Sequence, residues 1–229
     1  MGGSRILIVD DHTLVRQGLG KLLAGEGFEV VGEADNGFDA VDLARRLQPD
    51  VVLVDLYLPR LDGVATTRVI KRELPQVEVV LLTASENVEH IVEAVQAGAC
   101  GYVFKSADSL TLLKQLRQVL AGGVGMSEDI TVKLIKNLAH ASQSHRSHGV
   151  DSYTTLTPRE REVLALIAQG HSNKAIGAEL YVSSNTVRAH VRCLMQKLSL
   201  DNRTQLAVYG LREGLYDTQN PAFPNSNGI

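Results

Sequence analysis

Cysteine is scarce in this chain. Cys100 and Cys193 are the only two among 229 residues, and they fall in opposite halves. No disulfide framework is implied, which fits a reducing compartment and argues against a small secreted scaffold. Long apolar runs are missing as well: none approaches the ~20 residues that span a bilayer. Met1 to Arg5 lead straight into a short apolar run, without the pattern of a signal peptide. A soluble, cytoplasmic protein with no membrane partner is therefore expected. Nor is one sign of charge in excess: a net charge of −3 does not advertise nucleic acid. The length corresponds to one or two domains of roughly 100–200 residues.

What is present is a set of short apolar runs, Ile6–Val9, Val51–Val54, Val79–Leu82 and Tyr102–Phe104, with strands read over Val77–Leu82, Ala99–Phe104 and, as a further candidate, Phe28–Val31. Between them lie stretches with apolar residues at helical spacing: His12–Ala24, Phe38–Leu47, Val64–Leu74, Val88–Ala97 and Leu110–Leu120. Continuous apolar runs alternating with helices read as buried parallel strands. About five strands, each followed by a helix, predict an α/β flavodoxin-like doubly wound parallel sheet.

Asp10 and Asp11, Asp55, Thr83 and Lys105 each sit at or just past the end of one of these runs. Carboxyl ends of parallel strands meet in one crevice, so the five side chains are predicted to converge. Three carboxylates, a hydroxyl and an ammonium suit a metal ion and a phosphoryl group. Taken singly, each is ordinary. An Asp at a strand end is usually a turn or cap residue, and a Lys a solvated charge. It is the ordered set that points to chemistry.

The same residues give a resemblance. Asp10-Asp11, Asp55, Thr83-Ala84 and Lys105, with Tyr102 three residues before the lysine, resemble the receiver domain of two-component response regulators. The resemblance implies that Asp55 accepts a phosphoryl group from a sensor histidine kinase, with Thr83 and Lys105 binding its oxygens. It also implies Mg²⁺ held by Asp10, Asp11, Asp55 and the backbone carbonyl of Tyr57. Thr83 and Tyr102 would form the switch, reported by the helix Val88–Ala97, the fifth strand and the helix after it. Two positions depart from the common pattern: Ser106 follows Lys105 where many receivers have proline, and bulky Tyr57 stands two residues after Asp55.

After Leu120, Gly122-Gly123-Val124-Gly125 reads as a break. Ile130–Ala139 has the pattern of one short helix, and Ser142–Ser152 reads as a mobile linker. His140, His145 and His148 are loosely spaced there without carboxylate or thiolate company, a poor metal set. Thr157-Pro158-Arg159-Glu160 is a strong helix start of the capping-box kind. Further helices are predicted over Asn173–Leu180, over Asn185–Leu198 with Ser183 or Ser184 as cap, and over Thr204–Glu213. Cys193 falls within the third as a small buried side chain. Asp217–Ile229 has no periodicity and reads as disordered. The division expected is a receiver over 1–122, a linker over 123–153, a small all-α domain over 154–216 and a tail over 217–229.

Leu156–Leu164, Gly170, Asn173-Lys174, Ile176-Gly177, Val182-Ser183, Asn185–His190, Lys197-Leu198 and Asn202–Thr204 resemble the LuxR-type helix-turn-helix of the NarL/FixJ family. The helix from Asn185 would enter the major groove. Arg188 and Arg192, one turn apart, are the predicted base readers. Ser184, Asn185 and Ala189 share their outer side, while Lys174, Ser183, Thr186 and Lys197 are expected on phosphates. Basic residues outnumber acids in this half of a net-acidic chain. The helix carrying Leu206, Ala207, Tyr209, Gly210 and Leu211 is, by resemblance, a dimerisation element, so a homodimer on two half-sites of DNA is expected. Phosphorylation would favour that dimer, in one version by freeing the recognition helix from the receiver. Two other readings are an interaction adaptor and a Mg²⁺-dependent phosphatase. The second normally has an acid two residues after its nucleophile, where Tyr57 stands. The expectation is a DNA-binding regulator that catalyses only its own phosphotransfer and is not otherwise an enzyme.

Overall fold

A computed structural model describes residues 3–85, 87–126, 130 and 156–215. The expected linker helix beyond Ile130, the three linker histidines and the tail lie outside the described residues. The first half runs β1 (Arg5–Val9), α1 (Thr13–Gly25), β2 (Glu29–Ala34), α2 (Gly37–Leu47), β3 (Val51–Asp55), α3 (Gly63–Glu73), β4 (Glu78–Thr83), α4 (Val88–Ala97), β5 (Gly101–Phe104) and α5 (Ser109–Leu120). The second is helical: α6 (Pro158–Ala168), α7 (Asn173–Glu179), α8 (Ser184–Leu198) and α9 (Arg203–Arg212).

The five strands form one sheet in the order β2-β1-β3-β4-β5, and every neighbouring pair is parallel. Alternation along each strand sorts its side chains between two cores. Leu7, Val9, Val52, Val54, Val79, Leu81 and Tyr102 pack beneath α2, α3 and α4, while Ile6, Ile8, Val51, Leu53, Val80 and Val103 pack beneath α1 and α5. With both faces covered, the inner strands need continuous apolar sequence, which is why they were conspicuous. β2 was not. It runs on through Gly32, Glu33 and Ala34, three residues past the apolar stretch, because an edge strand pairs on one side only and tolerates half-buried positions.

Local signals set the helix ends. Asn36, Asp62, Asn87 and Asp108 cap α2 to α5, each accepting a backbone N–H from the first turn. Thr157 and Glu160 form the predicted capping box, and Ser183, not Ser184, caps α8. The chain does not leave the sheet at Gly122. It turns back along β5, where Tyr102 N donates to Gly125 O at 2.9 Å and Gly125 N to Cys100 O at 2.9 Å. Met126 and Ile130 are buried in the core beneath α2, α3 and α4.

The two halves are in contact. Asn202 Nδ2 donates to Val95 O in the last turn of α4 at 2.7 Å, and Thr204 Oγ1 to Ala99 O at 3.2 Å. Asn173 N donates to Ala121 O at 3.3 Å. Val208 of α9 is buried in a core cluster of the first half. The helix docked on the first half is thus α9. The outer side of α8 (Ser184, Asn185, Arg188, Ala189, Arg192) is exposed with the first half in place, so the first half does not cover the helix expected to read DNA. Docking through buried side-chain hydrogen bonds to carbonyls left over at a helix end has no periodicity for a sequence to display.

Gly63 is the tightest joint between fold and site. A Cβ there would lie 2.2 Å from Asp55 O and 2.9 Å from Leu56 Cα. Both neighbours are backbone, so Gly63→Ala is expected to destabilise the protein by about 1–3 kcal/mol, read as a lower urea midpoint.

Candidate functional site

The sheet order reverses between β1 and β3, and the crevice opens at their carboxyl ends. β1 delivers Asp10, which is fully buried, with Asp11 on the rim; β3 delivers Asp55, also buried. β5 brings Lys105 across, its Nζ 2.8 Å from Asp55 Oδ2 and 2.7 Å from Asp10 Oδ2. β4 ends on buried Thr83, whose Oγ1 accepts Ser85 N at 2.9 Å. The five residues predicted to converge occupy one crevice.

Burial pushes the Asp55 carboxyl above its usual value; the Lys105 hydrogen bond pulls the other way, and the Asp10 charge adds to the rise. Burial also works against the Lys105 charge, but the hydrogen bonds to Asp10 and Asp55 outweigh it and its pKa is raised. Three carboxylates face one ammonium. One ligand atom from each of Asp10, Asp11, His12 and Asp55 lies within 4.8 Å of the others. Hard oxygen donors carrying excess negative charge fit Mg²⁺.

Three contributors went unnoticed in the sequence. His12 Nδ1 lies 2.7 Å from Asp11 Oδ1 and 3.3 Å from Asp10 Oδ1, and its position directly after the acidic pair was an available signal. Arg16 Nη1 donates to Asp10 O at 2.6 Å. His90, on α4, reaches Tyr57: its Nδ1 is 3.3 Å from the Tyr57 hydroxyl and the rings meet edge-on at 5.8 Å. Tyr57 also serves the site through its backbone N–H, which bonds the Asp55 carboxylate. Tyr102 is fully buried, with its hydroxyl 3.4 Å from Ser85 O, and burial pushes its pKa up to about 12. The Lys105–Ser106 peptide is trans.

In the helical half, Val187, Val191 and Leu194 bury one side of α8. Ser183, Thr186, Lys174, Arg188 and Arg192 are exposed around it. Lys197, expected on a phosphate, is exposed and is also paired within the domain. Its Nζ lies 2.8 Å from Glu160, which the structure buries beneath α8. The Lys197 hydrogen bond holds the Glu160 carboxyl down at about 2, against the opposing effect of burial. Cys193 is half-buried with Sγ 3.4 Å from Glu160, whose hydrogen bond raises the thiol pKa and leaves it a poor nucleophile. Arg203 donates to Asn173 Oδ1 at 2.7 Å and His171 O at 2.6 Å, tying α9 to α7; burial lowers its pKa to about 10.

A carboxylate–lysine crevice on a doubly wound sheet, joined to a bundle with an exposed basic recognition helix, defines a receiver coupled to a DNA-binding module. Residues 6–117 match the response regulator receiver domain, and residues 154–210 match the bacterial regulatory proteins of the luxR family. The transcriptional regulatory protein LiaR of Bacillus subtilis is 35% identical over 212 residues, 92% of this chain and 98% of that protein. The nitrate/nitrite response regulator NarL of Escherichia coli K12 is also 35% identical, covering 92% of this chain and 96% of its own. A solved RcsB–DNA complex aligns over 90% of this chain and 97% of that one, with a TM-score of 0.54 and 27% identity. The chain belongs to the two-component response regulators of the NarL/FixJ type, with a receiver and a LuxR-type helix-turn-helix.

Glu160 carries a pH prediction. A carboxyl with a depressed folded pKa contributes stability above its unfolded value, and loses it as pH falls through the folded one. The protein is expected to lose thermal stability between about pH 4.5 and pH 2. Glu160→Gln is expected to flatten that part of the melting-temperature profile.

Proposed function

We propose that Asp55 accepts a phosphoryl group from a sensor histidine kinase, and that the phosphorylated protein regulates transcription as a DNA-bound dimer. The observation that carries the reading is the pairing of Lys105 with both Asp55 and Asp10. An Asp55 oxygen forms the new P–O bond as the donor's bond to phosphorus breaks. Lys105 and Thr83 receive the phosphoryl oxygens, the first as a charge-assisted partner. Mg²⁺ held by Asp10, Asp11, Asp55 and the Tyr57 carbonyl would supply charge neutralisation. The protein turns over no other substrate and acts in the cytoplasm, where kinase and DNA meet.

The docking of α9 on α4 suggests how the halves are coupled. The recognition side is open, but the helix that resemblance assigns to dimerisation is engaged with the receiver. Phosphorylation would then act by releasing α9 for a second copy, which changes affinity through half-site pairing and not through uncovering α8. Thr83 and Tyr102 lie beside Ser85, and His90 on α4 lies 3.4 Å from Ser85 Oγ, so a change at Asp55 has a packed route to α4.

With Mg²⁺ and a small-molecule phosphodonor, wild type is expected to dimerise and bind duplex DNA more tightly by size-exclusion chromatography and fluorescence anisotropy. Asp55→Asn should show neither change. Equal behaviour of the two would refute Asp55 as the switch. At a specific site, Arg188→Ala and Arg192→Ala are each expected to weaken binding by about 1–3 kcal/mol.

Asn202→Asp separates two jobs of one side chain. The carboxylate keeps the acceptor that caps Gln205 N but replaces the donor to Val95 O with a repelling oxygen. The variant is expected to dimerise without phosphodonor; a variant that stays monomeric would argue against release of α9.

A further inference from the structure

The turn that joins α7 to α8 combines backbone strain with an exposed aromatic side chain. Leu180 N donates to Ile176 O and Val182 N to Gly177 O, both at 2.9 Å, which closes α7 with Tyr181 in the left-handed region at φ 57°. This is the helix-ending position that glycine usually takes, because a Cβ is disfavoured there by about 1 kcal/mol or more. The other left-handed non-glycine residues, Gln48, Arg60 and Ser199, have polar side chains. Tyr181 places an aromatic ring there and leaves it 96% exposed. Among the described residues it makes no hydrogen bond, ion pair or ring contact. Neither its backbone nor its side chain profits the isolated protein, and a conformation of that kind at a surface is a mark of function.

The turn is held firmly. Arg159 Nη2 donates to Leu180 O at 2.6 Å while Nη1 pairs with Glu162 at 2.8 Å. A Cβ on Gly177 would lie 2.7 Å from Val182 O, so the helix end is packed tight against the turn. Tyr181 comes two residues before the Ser183 cap and borders the exposed first turn of α8, where Ser184, Asn185 and Thr186 precede Arg188. Its ring is thus continuous with the surface that the DNA-binding reading presents to a duplex.

We infer that Tyr181 is a further DNA contact, with its ring lying on the deoxyribose edge and its hydroxyl donating to a backbone phosphate beside the recognition helix. Tyrosine suits that place because it pairs an apolar face with a polar tip and has few rotamers to lose. Contacts to sugar and phosphate set register and affinity without reading bases. The contact therefore acts on any duplex. The inference rests on the DNA-binding reading above.

The test uses the full chain and a mixed-sequence duplex of about 40 base pairs at low salt, where backbone contacts dominate. Tyr181→Gly, Tyr181→Phe and Arg188→Ala are compared with wild type by anisotropy, well below their melting temperatures. Tyr181→Gly is expected to melt at or above the wild-type temperature, since it relieves the left-handed strain, yet to bind about fivefold to tenfold more weakly. Tyr181→Phe keeps the ring and loses only the hydroxyl, so a smaller loss of about twofold to fivefold is expected. Wild-type affinity in both Tyr181 variants, with Arg188→Ala weakened, would overturn the inference and leave the DNA-binding reading standing. A protein partner for the ring gives that same result and overturns it equally. Lower melting of Tyr181→Gly with unchanged affinity of Tyr181→Phe would assign the ring a structural role and also overturn it. A wild type that fails to bind the duplex at all would overturn the DNA-binding reading itself.

Discussion

Lys105 holds the receiver's chemistry together. Two buried carboxylates, Asp10 and Asp55, end neighbouring parallel strands, and without a cation between them their charges would repel in a poorly solvated crevice. The ammonium from β5 lies within 3 Å of both. It fixes how the ends of β1, β3 and β5 sit relative to one another. It also leaves the site short of positive charge, because Asp11 adds a third carboxylate at the rim. A site built this way favours a hard divalent cation and a phosphoryl group, since either extends the same alternation of charge.

Helix α4 connects that crevice to the rest of the molecule. Its first turn carries His90, which meets Tyr57 at the mouth of the site and Ser85 beside Thr83. Its last turn offers the Val95 carbonyl to Asn202 of the helical half. One rigid element of ten residues thus has an end at each functional region. A helix transmits displacement along its length because its backbone hydrogen bonds resist bending, so movement of one end is felt at the other. Among the described residues the receiver and the DNA-binding half meet through hydrogen bonds from Asn202, Thr204 and Asn173 to carbonyls at or just past helix ends, and through buried Val208.

The buried strands and the polar residues at their ends were legible because burial on both faces demands unbroken apolar sequence, and parallel topology puts the following residues in one place. Capping residues were legible for a similar reason: Thr157, Pro158 and Glu160 satisfy donors at a helix start in a fixed spacing. β2 was read three residues short, since an edge strand need not be apolar throughout. Lys197 was read as a phosphate contact, and its pairing within the domain was not visible in the sequence. Its carboxylate, Glu160, lies 37 residues away in sequence and is brought beneath it by the packing of α6 on α8.

The order of strands and helices, the set of five crevice residues and the exposed arginines of α8 were determined by the sequence alone, because each depends on periodicity or on topology that periodicity implies. Only the tertiary structure decided that His12, Arg16 and His90 attend the crevice, that Glu160 holds Lys197, and that α9, not α8, rests on the receiver. These are pairings between polar side chains and distant backbone or charged groups. Their strength depends on distance and burial, which come into being when the chain packs and leave no repeat in the order of its residues.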